Sequence, residues 1–267
     1  MRCTSGSTYI SSCSDSLKIV YWLITGLILL NIIIYRSDQI RLLGRGDLGN
    51  MKYFACIGYV NRQDLLRNAI LSVQPYWPHL MIIDNSEGRD LRNADWLKSY
   101  ATVYEPPVPF NFCQMMNYLQ KLGAQRDCDF VLFMHNDAEP QPNVAQYFLD
   151  MIKMYQSSGR KWGVAYTAYD ILVAFNIEAA KAVGPWDTNL PSYYTDCDYY
   201  WRMKHSPYEI IETGLPVTHH NGGGTTHKSD SYKGKVNECT FKLYEQFYIT
   251  KWGGTWYAEK YPTPFNR

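Results

Sequence analysis

Phe130-Val131-Leu132-Phe133-Met134-His135-Asn136-Asp137-Ala138-Glu139-Pro140 is the stretch on which the fold turns. Its five leading apolar residues read as a parallel strand buried on both faces. The run then breaks into a carboxylate and a proline, which sets Asp137 at the strand's C-terminal edge. In open α/β sheets ligands bind along that edge. A hard oxygen donor there is placed to hold a divalent cation on a phosphate-bearing substrate. Taken alone, Asp137 reads equally well as a cap for the helix expected around Asn143 to Gln156.

Outward from this strand the pattern is regular. Lys52 to Val60 is an apolar strand, followed by a helix over Gln63 to Val73 with apolar positions at Leu65, Leu66, Ala69, Ile70 and Val73. Leu80 to Ile83 is a second strand, ending in Asp84-Asn85-Ser86. A third, Ala101 to Tyr104, leads into the extended Glu105-Pro106-Pro107-Val108-Pro109. Asn111 to Gln125 is helical and would bury Phe112, Met115, Met116, Leu119 and Leu122. The βαβαβ order, with each strand ending in polar residues, predicts a doubly wound, mostly parallel sheet and a Rossmann-like nucleotide-binding half over 51–142. Beyond Pro142 the pattern changes. A helix over Asn143 to Tyr155, a strand or hairpin region over Trp162 to Phe175, and a short helix over Ile177 to Val183 come first. Tyr193 to Lys204 is a loop entering a helix, Tyr208 to Glu212 and Pro216 to Thr218 are short strands, and Lys235 to Trp252 is an amphipathic helix. Residues 143–267 form the second half.

Composition narrows the partners. The chain has 267 residues and a formal charge of +1, so no strong field points to nucleic acid. Its 23 Tyr and 8 Trp are abundant, and aromatics in such numbers line clefts that stack on sugars or bases as well as filling cores. The seven cysteines are scattered without a CxxC pair, which argues against a zinc site and a disulfide framework and fits a reducing compartment. No Asn-x-Ser/Thr sequon occurs.

The first fifty residues stand apart. After a tail over 1–18, Ile19 to Tyr35 is an apolar run bracketed by Lys18 and Arg36. As a helix it would span about 26 Å, near the lower limit for a bilayer. No small-x-small cleavage site follows, which favours a single-pass anchor over a signal peptide. Arg2 and Lys18 before it and Arg36, Arg41 and Arg45 after it leave the orientation open, with a slight bias to a cytoplasmic catalytic domain. Residues 36–50 read as a linker. The domain's first strand begins at Met51, so a translation start there would give a cytosolic protein complete over 51–267.

Several polar groups fall together in this scheme: Tyr59-Val60-Asn61-Arg62 and Asp84-Asn85-Ser86 at strand ends beside Asp137, then Thr195-Asp196-Cys197-Asp198 with Arg202, then His219-His220-Asn221-Gly222-Gly223-Gly224. In order and spacing, YVNRQDLLRNAI (59–70), IIDNS (82–86), PFNFCQMMNYL (109–119), FMHNDAEP (133–140), VGPWDTNLPSYYTDCDYYWRMK (183–204), PVTHHNGGGTTHK (216–228) and YITKWGG (248–254) resemble the family 2 glycosyltransferases of the GT-A fold. The resemblance covers essentially all of 51–267.

It implies a metal-dependent inverting transfer of a hexose-type sugar from a nucleoside-diphosphate donor, uridine-type foremost, to a hydroxyl of a glycan or glycoconjugate. Asp137 would bind Mn2+ or Mg2+, with His219 or His220 as second protein ligand; an imidazole tilts the choice towards Mn2+. Position 135 departs from the family, which often has an acid where this chain has His135. The donor would meet Asn61, Arg62, Asp84, Asn117, His135, Asn136 and Asp137, and the acceptor Trp186 and Asp187. Asp196 would be the general base, with Asp198 its rival. Two residues apart on a helix point about 200° apart, so only one of them faces the cleft. Gly222 to Thr226 would form a mobile loop over the phosphates. Two readings compete: a non-catalytic sugar-binding relative, which would need no base, and a nucleotidyltransferase, which would need glycines after the first strand.

Overall fold

A computed structural model describes residues 51–267. The expected tail, anchor and linker over 1–50 lie outside the described residues. Among the described residues no helix is long and apolar enough to cross a membrane.

The elements follow in the order β1 (Tyr53–Tyr59), α1 (Gln63–Ser72), β2 (Leu80–Asp84), β3 (Thr102–Tyr104), α2 (Phe112–Gln125), β4 (Phe130–His135), β5 (Ala138–Pro140) and α3 (Val144–Ser157). Then come β6 (Trp162–Tyr166), β7 (Leu172–Asn176), α4 (Ile177–Val183), α5 (Thr195–Lys204), β8 (Glu209–Glu212), β9 (Val217–His219), α6 (Thr225–Lys228) and α7 (Ser231–Trp252). One sheet has the order β3-β2-β1-β4-β7-β6-β8 and a small second sheet pairs β5 with β9. β7 is antiparallel to both its neighbours, and every other pairing in the large sheet is parallel. The sheet is therefore mostly parallel, with one reversed strand. The pairing of β4 with β7 carries it across Pro142, so the two expected halves share one sheet.

Chain order reverses between β1 and β4. In open α/β sheets such a switch point opens a crevice beyond the strand ends. The register fixes which residues border it, because Gly58 of β1 stands opposite His135 of β4.

Strand alternation builds a core on each face of the sheet. Ala55, Ile57, Phe130, Leu132 and Met134 pack with Leu66, Ile70, Phe148 and Ile152 of α1 and α3. Phe54, Cys56, Val131 and Phe133 pack on the other side with Met115, Met116, Leu119, Ile177, Trp186 and Tyr199. Phe112 and Leu122, expected in the core, are only partly buried, and Cys113 and Gln120 take inward positions on α2 instead. Asn111 starts that helix with a reciprocal capping box to Gln114.

Helix α7 begins four residues earlier than the sequence pattern indicates, because the Asp230 carboxylate caps it by accepting from the Tyr232 and Lys233 amides. Only Tyr248, Lys251 and Trp252 of this helix are fully buried. Lys251 donates to Asp187 at 2.7 Å and to Asp198 at 2.5 Å. Asp198, wholly buried, also accepts from Trp252 Nε1 at 2.9 Å and Arg202 Nε at 3.0 Å. This buried network pins α7 onto α5. Removing one member of a buried charge set leaves the others uncompensated, at a cost of about 3–5 kcal/mol. Lys251→Ala is accordingly expected to lower the unfolding free energy by that order, seen as a lower urea midpoint. A midpoint equal to wild type would show that the network contributes little.

Candidate active site

The site starts where β4 ends. The His135 amide donates to Ile171 O at 3.0 Å, which sets the end of β4 against the turn joining β6 to β7. The chain then bends into β5, whose partner is β9: Ala138 pairs with His219, Glu139 with Thr218 and Pro140 with Val217. The His220 amide closes the ladder on Asp137 O at 2.9 Å. Two histidines distant in sequence thereby arrive beside two acids. His219 Nε2 lies 3.2 Å from Asp137 Oδ1, whereas His220 Nε2 turns to Glu139 Oε2 at 2.8 Å. Of the two candidates, His219 joins Asp137 and His220 does not.

His135, expected to meet the donor, completes the group. Ligand atoms of His135, Asp137 and His219 all lie within 4.8 Å of one another. The His135 ring is wedged among Phe112, Phe133 and His219, with centroids 5.9, 5.3 and 5.6 Å away. Burial holds it below the usual histidine range, against the opposing pull of Asp170 and Asp137, which keeps a nitrogen lone pair available near neutral pH. For Asp137 burial pushes upward. Hydrogen bonds from His219 and Thr225 and the charges of His135 and His219 outweigh it and hold the carboxyl well below its ordinary range. One ionised carboxylate and two imidazoles are a donor set suited to a divalent transition-metal ion.

The loop behind this cluster leaves room for the His219 ring. A Cβ on Gly223, at φ +78°, would lie 2.6 Å from His219 Cε1. Lys228 Nζ donates to Asn221 O and to Gly223 O, both at 2.7 Å, and fastens the loop. The loop expected to be mobile is thus tied at its base. The end of β1 joins the same wall, since Asn136 Nδ2 donates to Asn61 O at 2.9 Å and Asn61 Nδ2 to Thr226 O at 3.1 Å. Asn61 Oδ1 is buried without a partner. Arg62 sits in a left-handed conformation at φ 66°, paired with Asp64 at 2.6 Å and reaching Ser229 at 3.5 Å. That is a surface ion pair at the rim of the site.

Four other expected residues are engaged within the fold. Asp84 is fully buried, its carboxylate accepting from the Ser86 amide and hydroxyl and the Leu91 amide, so it shapes its own loop rather than facing a nucleotide. Asn117 grips the backbone of Trp186, accepting from its amide at 2.8 Å and donating to its carbonyl at 3.0 Å. Trp186 is core: it stacks on Tyr199 at 4.5 Å and meets Phe112 and Phe175 edge-on. Asp187 is engaged by Lys251 and by Asn189, which hold its carboxyl low despite burial.

The acid pair on α5 divides sharply. Asp198 has its three charged or indole partners and no solvent exposure. Asp196 is half-buried and accepts from the adjacent Cys197 amide at 2.9 Å. Burial, and then the charge of Asp170, push its carboxyl up to about 6. Asp170 was not among the sequence candidates, since an acid in a hairpin turn looks like any turn residue. It accepts from Tyr200 OH at 3.1 Å and its charge acts on both His135 and Asp196.

Neither a family model nor a curated protein matches this sequence. Among solved structures, that of GalNAc-T7 with UDP, GalNAc and Mn2+ aligns with 75% of this chain at 11% identity and a TM-score of 0.50. The chain spans 51% of that protein's length. S. aureus TarS 1–349 aligns over 62% of this chain and 59% of its own at 11% identity and TM-score 0.47. A cytidylyltransferase from Leptospira borgpetersenii aligns over 73% and 95% at 8% identity and TM-score 0.47. The fold is that of the GT-A nucleotide-diphospho-sugar transferases.

The geometry separates the two histidines experimentally. His219→Ala, and Gly223→Ala through its contact with the His219 ring, are expected to weaken Mn2+ binding about tenfold or more. His220→Ala should leave it within about threefold, because that ring serves Glu139. Calorimetric Mn2+ titration decides this, and equal losses in His219→Ala and His220→Ala would contradict the assignment.

Proposed function

We propose that this protein is a metal-dependent inverting glycosyltransferase, moving a hexose-type sugar from a uridine diphosphate donor to a hydroxyl of a glycan or glycoconjugate. The observation that carries the reading is the His135–Asp137–His219 cluster at the C-terminal edge of β4, beside the switch point, with the Asp170 charge acting on both His135 and Asp196. The UDP and Mn2+ in the GalNAc-T7 structure lend support to the nucleotide and the ion. By sequence alone, residues 19–35 would hold the enzyme at a membrane, with its orientation open.

Asp137, His135 and His219 would hold the cation, and two imidazoles favour Mn2+ over Mg2+. When bound, such an ion neutralises charge developing on a departing diphosphate. The chain's own residues do the rest. Asp196 accepts the proton of the acceptor hydroxyl as that oxygen attacks the anomeric carbon. The bond from that carbon to the diphosphate oxygen breaks as the new one forms, so a single displacement inverts the anomeric configuration. An acid raised to about 6 is still ionised at neutral pH yet basic enough to take the proton. Asn61 and Asn136 fix the ends of β1 and β4 against each other, giving the donor a rigid wall.

Three outcomes are expected. In the full-length chain in detergent, UDP should raise the melting temperature with Mn2+ and fail to do so after chelation, by the linkage of binding to stability. Nucleotide stabilisation indifferent to metal would contradict the reading. Asp196→Asn should lower turnover about 10²–10⁴-fold while UDP–Mn2+ binding persists. In the wild type, turnover should be lost as pH falls through about 6, where Asp196 becomes protonated, and should level off above it. A profile flat from pH 5 to 8 would count against this base.

A further inference from the structure

With Trp186 in the core, the acceptor needs another surface, and the end of the chain offers one. Trp256 and Tyr257 are stacked on each other, ring centroids 4.2 Å apart and planes 21° apart. They are nonetheless 50% and 83% exposed. The loop that presents them is firmly closed. The Lys260 and Tyr261 amides both donate to Trp252 O, at 2.9 and 3.0 Å, and the Ala258 amide donates to Thr255 O at 2.8 Å. Gly254 lies so close to the Ala258 carbonyl that a Cβ there would meet its oxygen at 1.9 Å. Trp201 Nε1 donates to Tyr261 O at 2.9 Å, fastening the loop to α5, the helix that carries Asp196. Tyr257 itself is held at φ +64°, a left-handed conformation rare for an aromatic residue. A rigid mount that holds two large rings in solvent gains nothing from their burial.

Burial first, and then the nearby Glu212, Tyr257 and Asp170, push the Tyr166 phenol up. It stacks on Tyr200 at 6.0 Å, and the Tyr200 hydroxyl bonds Asp170, whose charge reaches Asp196. These phenols and carboxylates donate to and accept from hydroxyls. An aromatic face bordered by such groups suits a pyranose, with its apolar C–H face and hydroxyl rim.

We propose that Trp256 and Tyr257 form a saccharide platform on which one ring of a glycan acceptor stacks while a neighbouring hydroxyl reaches Asp196. This rests on the transferase reading above, and its test separates the two. Saturation-transfer NMR on the full-length chain in detergent would use the methyl β-glycosides of glucose, galactose, mannose and N-acetylglucosamine as probes. UDP with Mn2+ would be titrated on the same samples. At least one glycoside should receive saturation through its ring C–H protons. Trp256→Ala should weaken that binding about tenfold and Trp256→Phe should restore most of it, with UDP–Mn2+ affinity unchanged in both. Absence of glycoside binding, or binding equal in wild type and Trp256→Ala, overturns the platform. So does a Trp256→Ala variant that loses only adsorption to phosphatidylcholine–phosphatidylglycerol vesicles, which would assign the rings to lipid. Trp256-dependent glycoside binding in a protein that takes no UDP upholds the platform and overturns only the transferase reading.

Discussion

The pairing of β5 with β9 is the contact on which the site depends. Asp137 and His219 are 82 residues apart in sequence and meet because Ala138 and His219 face each other in a short antiparallel ladder. The large sheet alone would deliver His135 and Asp137 to the switch point with no third ligand. The ladder supplies it, Gly223 leaves room for the imidazole, and Lys228 holds the glycine loop in place. Each of these parts is small. Together they convert a strand end into a site with one ionised carboxylate and two available nitrogens.

A second constraint lies on α5. Asp196 and Asp198 differ by two positions and so face opposite sides of α5. The inner one is bound by Lys251, Arg202 and Trp252 and anchors the C-terminal helix. The outer one keeps most of its carboxylate unengaged, in surroundings that raise its proton affinity. The buried acid is thus structural, which leaves the outer one for the proposed role of base.

Much of this was legible in the sequence. The apolar runs of β1, β2 and β4 and their polar ends placed Asn61, Asp84 and Asp137 along one sheet edge, because periodicity and chain order carry that information directly. What lay beyond it was orientation. Nothing in His219-His220 says which ring faces Asp137, since the answer is set by register with β5. Trp186 and Asn117 are polar-capable residues in promising motifs, yet tertiary packing turns Trp186 into the core and Asn117 onto the Trp186 backbone. Asp84 stands at the expected edge but satisfies its own loop. Asp170 was invisible because its importance comes from the fold of a hairpin against β4. The reversed strand β7 could not be distinguished from a parallel one by its apolar pattern alone.

The central claim is that two imidazoles and one carboxylate hold a Mn2+ ion that also meets a nucleotide diphosphate. Pulsed electron paramagnetic resonance of the Mn2+-loaded full-length chain with UDP tests it most directly. The account predicts nitrogen couplings from two histidines, one of them lost in His135→Ala and one in His219→Ala, together with phosphorus coupling from the nucleotide. Coordination by oxygen alone, with no histidine nitrogen on the ion, would contradict it.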